Sequence, residues 1–115
     1  MWNIELTDIF EEWFNQQSEL IQNRILAGLS ILEMNGPNAG RPHVDSIHGS
    51  KYTNMKELRI QHKGDPYRIL FIFDPKRNGI ILCAGNKKGK NKLFYNELIS
   101  IAEIEYEKHI NIMGF

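Results

Sequence analysis

The residues of this chain best suited to chemistry are cationic, and they are concentrated. Between Lys51 and Lys92 stand eleven Lys/Arg and only three Asp/Glu. Residues 1–50 carry two basic and seven acidic side chains, and residues 93–115 carry one and four. A chain of formal net charge zero therefore holds a strongly basic middle between acidic flanks. Charge runs most often form a solvated face. A run this dense is also what a phosphate-binding surface requires. Within it, Arg59 and Arg68 each offer a planar guanidinium that can grip two phosphate oxygens and keeps its charge. The segment from Gly85 to Lys92 adds four lysines and two glycines, a mobile cationic loop. It lacks the GK[ST] ending of a phosphate-binding P-loop. Lys87 directly follows an expected strand, so its backbone is better fixed than that of Lys88, Lys90 or Lys92. Tyr95, just beyond the loop, can stack on a base or move a proton if burial or charge shifts its pKa.

Other reactive types are sparse. His43 and His48, with Asp45 between them, lie in a long Gly- and Pro-bearing connection over residues 36–54. Nothing else nearby supplies metal ligands at a plausible spacing, so the expectation is a plain loop with no metal. His62 ends a strand and His109 closes a helix, where a cation is favoured; both are expected to be structural. The lone Cys83 excludes an internal disulfide and reads as a small buried hydrophobe.

Three strands must position the arginines. Met55–His62 alternates, with Leu58 and Ile60 on one face and Glu57, Arg59 and Gln61 on the other. Lys63-Gly64-Asp65-Pro66 is a turn signal. Tyr67–Phe73 is β-branched and aromatic, as a buried strand should be. Asp74–Gly79 contains Asn-Gly, a hairpin signal, and Ile80–Ala84 is a continuous apolar run expected to be covered on both faces. An antiparallel meander over about residues 55–62, 67–74 and 79–86 follows. Before it, Trp2, Ile4 and Leu6 alternate as a short strand. Thr7 and Ser18 can each cap a helix. Ile9, Phe10, Trp13 and Phe14 mark the apolar side of the first helix, and Ile21, Ile25, Leu29 and Leu32 that of the second. Gly36-Pro37 stops the second helix. After the loop, Leu98, Ala102, Tyr106 and Ile110 recur at helical spacing. The fold class is α+β in the order β-α-α-β-β-β-α, an antiparallel sheet packed by two N-terminal helices and a C-terminal helix.

Asn54-Met55-Lys56-Glu57-Leu58-Arg59, Tyr67-Arg68-Ile69, Gly85-Asn86-Lys87 and Phe94-Tyr95, in this order and spacing, resemble the RelE/ParE superfamily of type II toxins. The likeness is to its HigB-like, phage-derived branch and covers nearly the whole chain, residues 1–115, as a single domain. The resemblance implies a toxin that cleaves messenger RNA, commonly in the ribosomal A site, and a helix-turn-helix, HigA-like antitoxin that neutralises it. RNA cleavage without a metal or cofactor uses the ribose 2′-OH as nucleophile. The site must take up the 2′ proton, stabilise charge on the phosphate and protonate the 5′ oxygen. Arg68 matches the superfamily's strand arginine, which contacts the scissile phosphate; otherwise it pairs with Glu57 or Asp65. Arg59, Lys87 and Tyr95 complete the catalytic candidates. Lys56, Lys88, Lys90 and Lys92 are the RNA-binding candidates.

At 115 residues with 42% hydrophobic content, the chain can build one modest core. No apolar run is long enough to span a membrane, and the start MWNIELTDIFEEWF lacks the features of a signal peptide. The cytoplasm is the expected compartment. Two other functions compete: a ParE-like inhibitor of DNA gyrase and a phage-derived nucleic-acid-binding accessory protein. The dense Arg/Lys array favours the ribonuclease.

Overall fold

The computed structural model describes residues 1–90 and 92–115; Asn91, in the expected lysine loop, lies outside the described residues. Strand β1 (Ile4–Leu6) leads into helices α1 (Asp8–Asn15) and α2 (Glu19–Asn35). Both helices start where expected: Thr7 Oγ1 accepts from the Phe10 N–H and Ser18 Oγ from the Ile21 N–H. At Gly36 the backbone reaches φ 56°, a left-handed value that ends α2. Strands β2 (Val44–Ser46), β3 (Lys56–His62), β4 (Asp65–Phe73) and β5 (Gly79–Asn86) follow, then helix α3 (Lys92–Met113).

The sheet order is β1-β5-β4-β3-β2. The meander β3-β4-β5 is antiparallel, and β1 joins parallel to β5. Strand β4 begins at Asp65, so the expected turn is shorter and Pro66 lies inside the strand. The plain loop expected over residues 36–54 is corrected in two places. Gly36–Asn38 forms a 3-10 turn, and β2 pairs antiparallel with β3 through Val44–Leu58, Asp45–Glu57 and Ser46–Lys56. Three residues are too few for alternation to show, and only Val44 is buried.

Strand alternation sends each face into its own core. Leu58, Ile60, Ile69, Phe71 and Ile81 meet Phe10, Ile25, Leu29 and Leu32 of the α1–α2 hairpin. Ile9, expected on that apolar side, is instead 38% exposed. On the other face Leu70, Ile72, Ile80 and Leu82 meet Phe94, Leu98, Ala102 and Tyr106 of α3. A register shift pairs Leu70 with Cys83 but Phe71 with Ile81, leaving Leu82 as an extra residue. Cys83 therefore also turns toward α3. Its Sγ lies 3.4 Å from the Leu98 carbonyl, and burial pushes the thiol pKa up to about 12. Beyond the bulge, a Cβ at Gly85 would stand 3.0 Å from the Phe94 ring. That glycine lets the first turn of α3 settle close to the sheet.

Candidate functional site

Register places Arg59 of β3 directly opposite Arg68 of β4. Two like charges across a strand pair repel. The carboxylate of Glu57, two residues along the same face, lies between them. It is 3% exposed. Its Oε2 accepts from Arg59 Nε at 3.1 Å and pairs with Nη2 at 3.0 Å. Its Oε1 accepts from Tyr95 Oη at 2.6 Å and lies 3.6 Å from Arg68 Nε. A buried carboxylate with fewer partners would be costly; two guanidiniums and a phenol satisfy this one.

Arg68 is held differently from Arg59. Its side chain is 12% exposed, and Nη1 donates to the Tyr67 carbonyl at 3.0 Å. Its Nε is buried without a hydrogen-bond acceptor among the described residues. Such an orphaned donor is uncommon in a folded interior. Arg59 is 38% exposed and its Nη2 also reaches Asp45 Oδ2 on β2 at 3.1 Å.

Helix α3 roofs this face. It starts at Lys92, so the positive end of its dipole and Tyr95 in its first turn both point to the arginine end of the sheet. Burial first, then the hydrogen bond to Glu57, holds the Tyr95 phenol above its ordinary pKa; Arg68 opposes but does not prevail. At neutral pH this phenol carries its proton and acts as a donor. Lys87 Nζ lies 5.2 Å from the centre of the Tyr95 ring, and its backbone N–H donates to the Pro66 carbonyl at 2.8 Å. A pocket of about 740 Å³ opens beside the network, lined by Asp45, His48, Glu57, Arg59, Lys92 and Tyr95 over a floor of Ile47 and Ile99.

Arg59, Arg68, Lys87 and Tyr95 thus come together, with Lys92 at the rim. Lys56 does not join them. It shares the face of Leu58 and Ile60, and its Nζ donates to the Pro37 carbonyl at 2.9 Å. Strand parity places it on the opposite face of the sheet from Arg59. Lys88 is exposed and pairs with Asp65 at 3.3 Å; Lys90 is exposed, with its backbone N–H bound to the Lys87 carbonyl. The basic middle is therefore not one surface. Lys51 pairs with Glu107 across the protein, and Arg77 lies over the Trp2 ring at the opposite end of the sheet. Glu57 and Asp45, which hold the arginines here, are not among the residues that the sequence singles out for the site. The signal for Glu57 was present: a lone acid among basic residues, in register for the arginine face.

His109 lies far from this network, its Nε2 2.8 Å from Asp74 Oδ2. Among the described residues no three His, Cys, Asp or Glu side chains gather as a metal site, and no helix is long and apolar enough to cross a membrane.

The family described as "Phage derived protein Gp49-like (DUF891)" matches residues 12–107. Two Mycobacterium tuberculosis proteins bearing the toxin names HigB2 and HigB3 are similar. HigB2 is 40% identical over 99 residues, 85% of this chain, which spans only 49% of that relative's length. HigB3 is 42% identical over 93 residues, 81% of this chain and 80% of the relative. In three dimensions the chain is similar to the isolated E. coli RelE toxin, with a TM-score of 0.57 over 88% of this chain and 99% of that one. At 8% identity that likeness concerns the fold.

Proposed function

The chain belongs to the Gp49-like family within the RelE superfamily, and from that premise we propose that it is the toxin of a type II toxin–antitoxin pair that cleaves messenger RNA. The observation that carries this reading is the cross-strand Arg59–Arg68 pair, bridged by Glu57 beneath the Tyr95 phenol, with Arg59, Glu57 and Tyr95 lining a pocket. In the proposed reaction the ribose 2′-OH gives its proton to solvent water and its oxygen forms a bond to the adjacent phosphorus. The bond from phosphorus to the 5′ oxygen breaks, leaving a cyclic phosphate. Arg59 and Arg68 stabilise the charge that accumulates on the phosphoryl oxygens. Tyr95, kept protonated by burial and by Glu57, supplies a proton toward the leaving 5′ oxygen. Lys87, over the Tyr95 ring, adds positive charge there. Lys88, Lys90 and Lys92 hold the flanking backbone electrostatically. No step requires a metal. The ribosome presents the RNA, the cytoplasm is the compartment, and a helix-turn-helix antitoxin of the HigA kind neutralises the toxin.

The test is purified protein with ribosomes translating a defined mRNA, the cuts mapped by primer extension. Arg68→Ala is expected to cleave about 10²–10³-fold more slowly, as when an oxyanion donor is removed. Arg68→Lys recovers only part, because a point charge does not replace the fork. Lys76→Ala, in the exposed turn at the far end of β4, serves as the control and stays near the wild-type rate. Translated mRNA left intact by the wild-type protein would overturn the reading.

A further inference from the structure

The two guanidiniums on the outer side of the network converge on a single oxygen. Arg41 Nε and Nη2 each lie 3.2 Å from Asp45 Oδ2, and Arg59 Nη2 lies 3.1 Å from the same atom. The other oxygen, Oδ1, accepts from the backbone N–H of Ser46 at 2.9 Å. We propose that Asp45 occupies a second phosphate subsite, formed by Arg41 and Arg59, and is displaced from it when RNA binds. This rests on the ribonuclease reading and extends it to a backbone phosphate next to the one that reacts.

Three features support the exchange. A carboxylate and a phosphodiester present oxygens of similar size and charge to a guanidinium, so the point where both arginines meet is a position for an anionic oxygen. The present occupant is weakly held. Arg41 is 79% exposed and Asp45 23% exposed, so water competes for both. Asp45 also lies in the three-residue edge strand β2, which pairs only with β3 and can yield without opening the main sheet. The position suits a neighbouring phosphate. Arg59 is shared between the Glu57 network and Asp45, and Asp45 and Arg59 both line the pocket. The Asp45 carboxyl is held below its usual pKa, first by the Ser46 N–H and then by Arg41, so the stand-in is charged at neutral pH.

The experiment measures binding of a 2′-O-methyl oligoribonucleotide, which cannot be cut, by fluorescence anisotropy over a range of salt. Asp45→Asn, folded by circular dichroism, is expected to bind about three- to tenfold more tightly because the negative charge competing for Arg41 and for the outer side of Arg59 is gone. Arg41→Gln is expected to bind more weakly and to lower the magnitude of the log–log salt slope by about 0.7, one single-strand phosphate contact. In the double variant the gain from Asp45→Asn should shrink, since half the clamp is missing. Unchanged or weaker binding by folded Asp45→Asn overturns the subsite. Should that variant not fold, an unchanged salt slope for Arg41→Gln overturns it equally. Wild-type protein that fails to bind the oligonucleotide at low salt overturns the subsite, whereas the ribonuclease reading is decided by cleavage of translated mRNA. Wild-type binding with neither variant altered sinks the inference alone.

Discussion

Glu57 decides what the two facing arginines can do. With its charge they sit across a strand pair, Arg59 hydrogen-bonded to the carboxylate and Arg68 ion-paired with it at 3.6 Å; without it they repel in a largely buried space. Glu57→Gln keeps the volume and an acceptor for Tyr95 but removes the compensation. It is expected to lose about 3–5 kcal/mol of stability, the range for breaking a buried charge pair, measured by urea denaturation. A loss under about 1 kcal/mol would mean that solvent reaches the network freely. Lys56 tests the opposite point. Its ammonium serves the Pro37 carbonyl on the far face. Lys56→Ala should leave mRNA cleavage at the wild-type rate and cost about 1 kcal/mol, one hydrogen bond. A large drop in cleavage with unchanged stability would return Lys56 to the site.

At the scale of elements, Gly36 joins the end of α2 to the first strand. At φ 56°, a Cβ there would come within 2.3 Å of the Trp2 ring. That ring has little room to move, with Phe73 at its edge and Arg77 over its face. Gly36→Ala combines backbone strain with overpacking, and its Tm should fall by about 10 °C or more in calorimetry. An unchanged Tm would show that Trp2 can leave its place at no cost. The elements themselves were largely legible in the sequence where apolar spacing was regular. The meander, the capped helices and the buried stripe of α3 all announce themselves by period. Strand β2 did not, because three residues cannot display a period. The polar side of β3 does not reveal its cover, since nothing local to Glu57 and Arg59 records that a helix 38 residues away from Glu57 in sequence, at Tyr95, will close over them. The pairing of Arg59 with Arg68 could have been read from the meander. Its carboxylate anchor needed the roof.

For the whole molecule, α3 is pinned at both ends. One end carries Tyr95; the other brings His109 to Asp74, whose side chain is fully enclosed. Asp74 also accepts the Asn78 N–H at 2.9 Å, which closes the turn between β4 and β5. Burial raises the Asp74 pKa, but the His109 and Asn78 hydrogen bonds outweigh it and leave it below the usual 3.8. A depressed folded-state pKa means stabilisation that is present at neutral pH and lost as pH falls below about 4. Asp74→Asn should therefore be less stable than wild type by about 1–3 kcal/mol at pH 7, and the difference should narrow by about pH 3. Urea midpoints at the two pH values provide the check, and a difference independent of pH would remove this carboxylate from the acid response.

The roof over Glu57 also fixes a sequence of events in biosynthesis. Domains form from the N-terminal side as the chain is made. When β3 and β4 have emerged from the ribosome, Arg59, Arg68 and Glu57 are outside it, but Tyr95 and the start of α3 are still inside the exit tunnel. A nascent chain at that stage exposes the two arginines without the proton donor that the proposed chemistry needs. On the proposed reading, cleavage would therefore begin only once the helix has emerged and closed over Glu57.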